Sequence, residues 1–167
     1  MNELRQTPEP QSAPPPRANQ FESVAATWGA CGPNSPTDKV VRTFDRAGLI
    51  DGDHRLVEGR TVMYCGTENG GFRHVQVKHW NDWGRLTPNA NWRLIADEGM
   101  EAALRNPEVV CYREDNNTFT VGRLMYEYNK KNGLPTGRIK WANVTVDANT
   151  GRVVTSFPTS GKPRCKQ

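Results

Sequence analysis

The sequence predicts an α+β fold, in which two or three N-terminal helices pack on a curved antiparallel sheet of four to five strands. Three observations predict it. Apolar residues recur at helical spacing in the first part of the chain, the pattern changes to period two from Val109 onward, and the length of 167 residues suits one domain with its own core. Helices followed by a run of antiparallel strands are the sequence form of this class.

The chain divides into three parts. Residues 1–20 carry five prolines and almost no apolar side chains, so we expect a disordered Pro-rich linker there. A Pro-rich ligand for an SH3-like partner is the alternative interpretation of this segment. Residues 21–160 form the single α+β domain, and residues 161–167 are expected to be a loose C-terminal tail.

Two long helices are predicted. The first spans Ser35 to Ala47, because Ser35 is a good N-cap, Pro36 fits the first helical position, and an apolar stripe follows. The second spans Trp92 to Arg105, with Asn91 as its cap. The connection from Leu49 to Gly59 is rich in turn residues, and His54 within it is expected to be a solvated loop residue.

Strands are predicted on both sides of the second helix. A short one is expected before it, and two hairpins with period-two patterns are expected after it, each closed by Asn-rich or Gly-containing turns. The predicted strands are Thr61 to Cys65, Val109 to Arg113, Thr118 to Tyr128, Arg138 to Asp147 and Arg152 to Phe157.

The four cysteines occur at wide spacing, without a C-x-x-C pair. This spacing argues against a zinc site built from cysteines alone and is typical of two disulfides in an exported protein. Cys65 and Cys111 both lie in strand-like segments, whereas Cys31 and Cys165 flank the folded part. We therefore predict the pairs 65–111 and 31–165; four reduced thiols in a cytosolic protein are the alternative.

Charge and hydropathy limit the partners. The net charge of +4 suits a polyanionic partner, although many unrelated proteins are as basic. No apolar run approaches the roughly 20 residues needed to span a bilayer, and the N-terminus lacks the apolar core of a signal peptide. If the protein is exported, we expect the route to be encoded outside this chain.

The decapeptide Gly70 to His79 holds two of the three histidines and two cations. His74 and Lys78 lie on one face of either a strand or a helix, because they are four residues apart. His74 and His79 are five residues apart, which places them on opposite faces of a strand and about 140° apart on a helix. We therefore predict a histidine–lysine pair, which His79 joins only if the backbone bends.

A histidine beside a cation suits metal-independent cleavage of RNA. An imidazole titrates near neutral pH, so it can remove the proton of the 2′-hydroxyl or protonate the leaving oxygen, and a lysine or arginine stabilises charge on the phosphate. The acidic residues lack metal-ligand spacing, and Asp82 with His79 is one carboxylate short of a facial triad. No metal or cofactor is expected. The alternative is an exposed edge strand whose charges discourage aggregation.

Two segments, Phe72 to Trp80 and Val144 to Pro158, resemble the nuclease superfamily that joins barnase, EndoU, colicin-type and RelE-type ribonucleases. Many of these domains are C-terminal toxin modules of bacterial competition systems. The shared pattern is one or two helices, a "His-x-x-x-Lys-His"-like segment and antiparallel strands that end in a "Thr-Gly-x-Val-x-Thr-x-Phe-Pro"-like hairpin. This chain lacks a clear second Gly-rich histidine motif, which departs from the EndoU pattern.

The resemblance implies a monomeric ribonuclease toxin delivered into a target cell as part of a larger system, with RNA as substrate and an acidic cognate immunity protein as partner. For Thr155, half-buried packing beside Val153 and Phe157 is an alternative role. The tryptophans are candidates for stacking on bases or for core positions. The implied site residues are His74, His79, Lys78 and Thr155 as catalytic groups, and Arg73, Arg123, Tyr126, Arg152 and Ser156 as substrate-binding groups.

Two other functions remain open from the sequence. One is a non-catalytic exported binding module stapled by disulfides and displayed behind the Pro-rich linker. The other is an intracellular nucleic-acid-binding accessory protein, which reduced thiols would favour.

Overall fold

The computed structural model describes residues 2–5, 28–86 and 91–165. The described residues form two helices and nine strands. In chain order these are β1 Asn2–Arg5, β2 Val40–Arg46, β3 Leu49–Asp51, β4 His54–Leu56, β5 Gly59–Tyr64, α1 Phe72–Gly84, α2 Trp92–Arg105, β6 Val109–Arg113, β7 Thr118–Asn129, β8 Pro135–Asp147 and β9 Val153–Thr159.

The main sheet is antiparallel and is built around β7. One side of β7 pairs with β8, and β8 pairs with β9. The other side is shared end to end by two strands, because β6 pairs with Thr118 to Gly122 and β1 pairs with Tyr126 to Asn129. β9 is therefore an edge strand of this sheet, and α1 packs against it.

Both helices pack on this sheet, and the predicted α+β class is confirmed. α1 contacts β9, whereas α2 contacts β8 and β7. Gly99 of α2 lets the helices approach each other, since a Cβ at this position would lie 2.8 Å from the ring of Trp83. The helices are not N-terminal in the described part of the chain, because β2 to β5 precede them.

The predicted helix from Ser35 to Ala47 is wrong. Its second half is strand β2, which pairs with β5, and residues 33–38 form turns and bends. The register of β2 shifts between Val40 and Arg42. As a result Val41 and Phe44 are both buried, although they are three residues apart, which is the spacing of a helix. The β-branched residues of the segment favour the extended form.

Arg46 completes the inward face of β2, where an apolar residue would be expected. Its guanidinium donates to the hydroxyl of Thr61 and to the carbonyl of Val57, each at 3.0 Å. Burial lowers the pKa of Arg46, and these bonds satisfy the charged group inside the protein.

The predicted turn-rich connection from Leu49 to Gly59 contains the β3–β4 hairpin. His54 is exposed, as expected, but it lies in β4 and its ring stacks on Tyr112 with centroids 3.7 Å apart. The hairpin is tied to β6, because the backbone N–H of Tyr112 donates to the carboxylate of Asp51 at 2.8 Å.

The other predicted elements are confirmed. The helix from Trp92 to Arg105 has the bounds that the sequence predicts, and each predicted strand of the later hairpins is present with ends moved by three residues or fewer. The prediction that residues 1–20 are disordered is wrong for Asn2–Arg5, which form a strand paired with β7. The remaining residues of this predicted linker lie outside the described ranges. No helix in the described ranges is long and apolar enough to cross a membrane.

Two disulfides form, but the predicted pairing of 65 with 111 and 31 with 165 is wrong. Cys31 is bonded to Cys65, and Cys111 to Cys165. Cys65 directly follows β5, which pairs with β2. The segment around Cys31 also runs beside β2, because the N–H of Gly29 donates to the carbonyl of Val41. Cys31 and Cys65 therefore meet. Cys111 lies in β6 at the far side of β7, where the C-terminal tail meets it.

Candidate active site

The decapeptide forms the beginning of α1, and two glycines determine where the helix begins. Gly66 and Gly71 both have positive φ, 65° and 92°. A Cβ on Gly71 would lie 2.8 Å from the carbonyl oxygen of Tyr64, and one on Gly66 would overlap the carbonyl of Gly70. The N–H of Gly71 donates to the carbonyl of Val154 at 3.0 Å, so the start of α1 is fastened to β9.

α1 is held by few buried side chains. Phe72, Val75 and Trp83 are buried, and the indole N–H of Trp83 donates to the carbonyl of Ser156 at 3.3 Å. The rest of the helix surface is half-buried or exposed. This surface carries the titratable side chains.

His74 and His79 approach each other. Their ring centroids are 5.6 Å apart, with the rings inclined at 62°. The expectation that the two histidines do not project together in a regular helix is therefore wrong. Both residues lie in one continuous helix, so the backbone does not bend between them. Each imidazole stands a side-chain length away from its Cα, and the two rings lean toward each other across the helix surface.

His79 is oriented by a carboxylate and by an aromatic ring. Its Nδ1 lies 2.9 Å from Oδ2 of Asp82, one turn further along the helix. The imidazole also contacts the ring of Phe157 on β9, with centroids 5.3 Å apart. These two contacts fix the ring plane and direct Nε2 away from Asp82.

His74 is oriented by the loop that precedes the helix. Its Nδ1 lies 2.7 Å from the carbonyl oxygen of Glu68. A carbonyl oxygen only accepts hydrogen bonds, as does the carboxylate of Asp82, so Nδ1 carries the hydrogen in both histidines. In the neutral form of each ring, Nε2 is then the unprotonated nitrogen that can accept a proton.

Of the two predicted phosphate ligands on α1, Lys78 is exposed and lies one turn from His74. The guanidinium of Arg73 instead donates to the carbonyl oxygens of Gly66, Gly32 and Ser35 at 2.6 to 2.8 Å. Arg73 thereby joins the loop before α1 to the segment that carries Cys31, and three of its five N–H donors are used within the protein.

On β9, Thr155 and Ser156 point to opposite faces, as the sequence predicts. Ser156 is fully buried and its hydroxyl donates to the carbonyl of Asn143 at 2.9 Å, so the structure does not bring Ser156 to the histidines. Thr155 shares a face with Phe157, which contacts His79. The Oγ1 of Thr155 is buried and has no hydrogen-bond partner among the described residues.

The other predicted substrate-binding residues lie apart from the two histidines. Arg123 and Tyr126 are on β7, two strands from β9, and Arg123 donates to the carbonyl of Asn106 at 3.1 Å. Arg152 is exposed just before β9 and lies over the ring of Tyr64, 4.6 Å from its centroid. It borders a cavity of about 440 Å³ beside the Gly66 to Gly71 loop.

Sequence reasoning missed three members of this cluster. Asp82 could have been found as an orienting group by its i,i+3 spacing from His79. The carbonyl of Glu68 and the ring of Phe157 carry no local signal, because both reach the histidines through the tertiary fold. Of the tryptophans, Trp28, Trp83 and Trp141 are buried, whereas Trp80 is 52% exposed. No group of three potential ligand side chains in the described ranges is arranged to hold a metal ion.

Two proteins of Mycobacterium tuberculosis are similar to this chain. They are the uncharacterized protein Rv0739 of strain ATCC 25618 / H37Rv and the uncharacterized protein MT0764 of strain CDC 1551 / Oshkosh. Each is 37% identical over 158 residues, which cover 90% of this chain and 56% of the relative, so the chain spans little more than half of their length. No protein-family model and no solved structure matches the chain.

Proposed function

We propose that the protein is a metal-independent ribonuclease that cleaves RNA by attack of the 2′-hydroxyl. The observation that carries the proposal is the pair of imidazoles 5.6 Å apart, each with its Nδ1 held by an oxygen acceptor. This arrangement leaves two Nε2 atoms as proton carriers beside one exposed lysine. Strand cleavage needs two proton carriers, because one proton is removed and another is supplied.

The reaction follows from these groups. One imidazole takes the proton of the 2′-hydroxyl as its oxygen forms a bond to phosphorus. The bond from phosphorus to the 5′-oxygen breaks, and the second imidazole, in its protonated form, gives its proton to that oxygen. The products are a 2′,3′-cyclic phosphate and a free 5′-hydroxyl. Lys78 stabilises the charge on the non-bridging oxygens.

Asp82 and Glu68 position the two histidines. An imidazole that is hydrogen-bonded through Nδ1 keeps one tautomer and one ring plane. Its Nε2 therefore already has a fixed orientation when the substrate binds. Asp82 does this for His79 and the carbonyl of Glu68 does it for His74. The hydroxyl of Thr155 is buried, so we assign it no contact with the substrate.

The proposal includes a role as a bacterial toxin delivered into a target cell. The resemblance of the α1 segment and the last hairpin to toxin ribonucleases supports this role, and so does the presence of two disulfides, which form in oxidising compartments. A net charge of +4 favours an acidic immunity protein as partner.

The decisive experiment uses the three histidines. His74→Ala and His79→Ala are each expected to lower the rate of RNA cleavage in EDTA by about 10²- to 10⁴-fold, with the far-UV circular dichroism unchanged. His54→Ala is the matched control, because His54 is exposed, lies in β4 and stacks on Tyr112 rather than on a residue of α1. Loss of wild-type cleavage in EDTA, or full activity of both variants, contradicts the proposal.

A second experiment tests the toxin role by itself. Inducible expression of the chain in the bacterial cytosol is expected to stop growth and degrade RNA, and His79→Ala is expected to remove both effects. A small acidic open reading frame next to the gene is expected to restore growth when it is co-expressed. Cleavage in vitro without growth inhibition would keep the ribonuclease and reject the toxin.

The two disulfides also favour a second candidate, a non-catalytic exported binding module. The side of α1 away from the histidines exposes Val77 and Trp80, which are 61% and 52% accessible, as a binding surface would. This candidate predicts that the wild-type chain neither cleaves RNA nor inhibits growth.

A further inference from the structure

A cleft between the end of α1 and strand β8 collects positive charge beyond the two histidines. It has a volume of about 480 Å³ and is lined by Leu86 and Ile139 together with four charged side chains. Three of these are cations and one is a carboxylate. The charged residues of this cleft are Arg85, Arg138, Lys140 and Glu127.

Two of the three cations of the cleft bond to neutral side chains. Arg85 is bonded to the side-chain amide of Asn81, with that amide oriented so that its oxygen accepts. Lys140 donates to the hydroxyl of Ser160 at 2.8 Å. In the described part of the chain, no carboxylate forms an ion pair with Arg85, Arg138 or Lys140, so their charge is available to a ligand.

The cleft continues the face of α1 that carries the site. Residues 74, 78, 81 and 85 follow one another at spacings of three and four, which places them in one stripe along the helix. Arg85 lies six residues after His79, about 9 Å along the helix axis. The cleft therefore lies beyond the histidines, in the direction of the C-terminal end of α1.

We propose that this cleft, with Arg138 and Lys140 as its main ligands, binds the phosphodiester backbone of single-stranded RNA outside the bond that is cut. The inference rests on the proposed ribonuclease function and adds a substrate-binding site to it. Arginine and lysine bind phosphate oxygens by charge-assisted hydrogen bonds.

The test compares two double variants with the same loss of charge. Arg138→Ala with Lys140→Ala removes two cations of the cleft. Arg55→Ala with Arg60→Ala removes two exposed cations from β4 and β5. The probe is a short single-stranded 2′-deoxy oligonucleotide, which the proposed chemistry cannot cleave because it lacks the attacking hydroxyl. Binding is measured by fluorescence anisotropy at several salt concentrations.

The cleft variant is expected to bind the probe about tenfold more weakly and to lower the salt slope by about 1.4, because each phosphate contact on a single strand contributes about 0.7. The control variant is expected to keep the wild-type slope. Equal losses in both variants, or none in the cleft variant, would overturn the proposal. It would also be overturned if the cleft variant kept oligonucleotide binding and lost an acidic protein partner instead.

A second measurement separates this proposal from the ribonuclease function. The cleft variant is expected to cleave a dinucleotide at the wild-type rate and to show a raised KM for longer RNA. If the wild type binds the probe through the cleft but cleaves no RNA, the binding site stands and the ribonuclease fails. If the wild type cleaves RNA while the cleft variant matches the control in both assays, the binding site alone is rejected.

Discussion

The two helices are of similar length but are held in different ways. α2 begins at Asn91, whose side chain accepts from the N–H of Arg93 at 3.0 Å, and it buries eight residues. α1 begins at Gly71 without a side-chain cap and buries three. α2 is therefore specified by its own cap and apolar stripe, whereas α1 depends on the loop and strand that meet its first turn.

The difference shows why the candidate site lies on α1. A helix that buries only a narrow stripe leaves most of its surface to face solvent or a ligand. α1 is fixed mainly by Gly71, Phe72 and Trp83, so its remaining face can carry two histidines and a lysine. Stability and chemistry are thus assigned to separate helices, and each assignment can be tested by substitution.

The largest effect on stability is expected in α2, at Asp97. This carboxylate is 2% exposed and accepts from the indole of Trp28 and, at 2.7 Å, from the guanidinium of Arg42. Asp97→Ala leaves both donors without their acceptor, so we expect a loss of about 3 kcal/mol in the free energy of unfolding, measured by denaturant titration. Asp82→Ala on α1 is the control and should change stability by less than about 0.5 kcal/mol; equal losses would remove the contrast.

The next largest effect is expected where α1 begins. Gly71→Ala places a Cβ against the carbonyl of Tyr64 at a φ of 92°, so a loss of about 2 kcal/mol is expected in the same titration. RNA cleavage should fall with it, because the loop that holds His74 is displaced. Gly161→Ala, which has open space around its Cβ, should leave both quantities unchanged. An unaffected Gly71→Ala would mean that this glycine does not determine the helix start.

A smaller effect, on rate alone, is expected for Asp82→Asn. The amide keeps the size of the side chain but no longer enforces a proton on Nδ1 of His79, so kcat is expected to fall about tenfold, or about 1.4 kcal/mol, while KM stays constant. The denaturation midpoint should not move, because Asp82 is exposed. A change in KM without a change in kcat would show that Asp82 contacts substrate rather than positioning His79.

The smallest effect is expected at the cap of α2. Asn91→Ala removes one bond to the first turn, and we expect a loss of about 1 kcal/mol with cleavage unchanged. Gln76→Ala, at an exposed position of α1, should fall within about 0.5 kcal/mol of the wild type. A drop in cleavage by Asn91→Ala would show that the two helices are coupled through their shared packing.

The elements that the sequence predicts well are those whose local signals agree. In α2, cap, apolar stripe and stop residue all indicate the same helix, and in the strands from Val109 to Phe157 the period-two pattern coincides with turn residues. The segment from Ser35 to Ala47 has the apolar spacing of a helix, because a register shift in β2 and the buried Arg46 hide the period-two pattern of a strand. The pairing of the cysteines was not predictable, since it depends on which segments meet in the tertiary fold.

The candidate site was predictable in part. The decapeptide and the pairing of His74 with Lys78 follow from residue type and spacing. The approach of His79 to His74 depends on side-chain direction, and the partners Glu68 and Phe157 depend on how the Gly66 to Gly71 loop and β9 meet α1. Residue content thus points to the segment, and the fold supplies the orientation of each ring.

The bond between Cys111 and Cys165 would constrain the proposed delivery of the chain if the route included a narrow channel. The two residues are 54 positions apart, and the covalent ring that they close contains β7, β8 and β9. Even when unfolded, the oxidised chain must pass with two lengths of polypeptide side by side. The reduced chain passes as a single thread, so the width of the channel decides whether the thiols are oxidised before passage or after it.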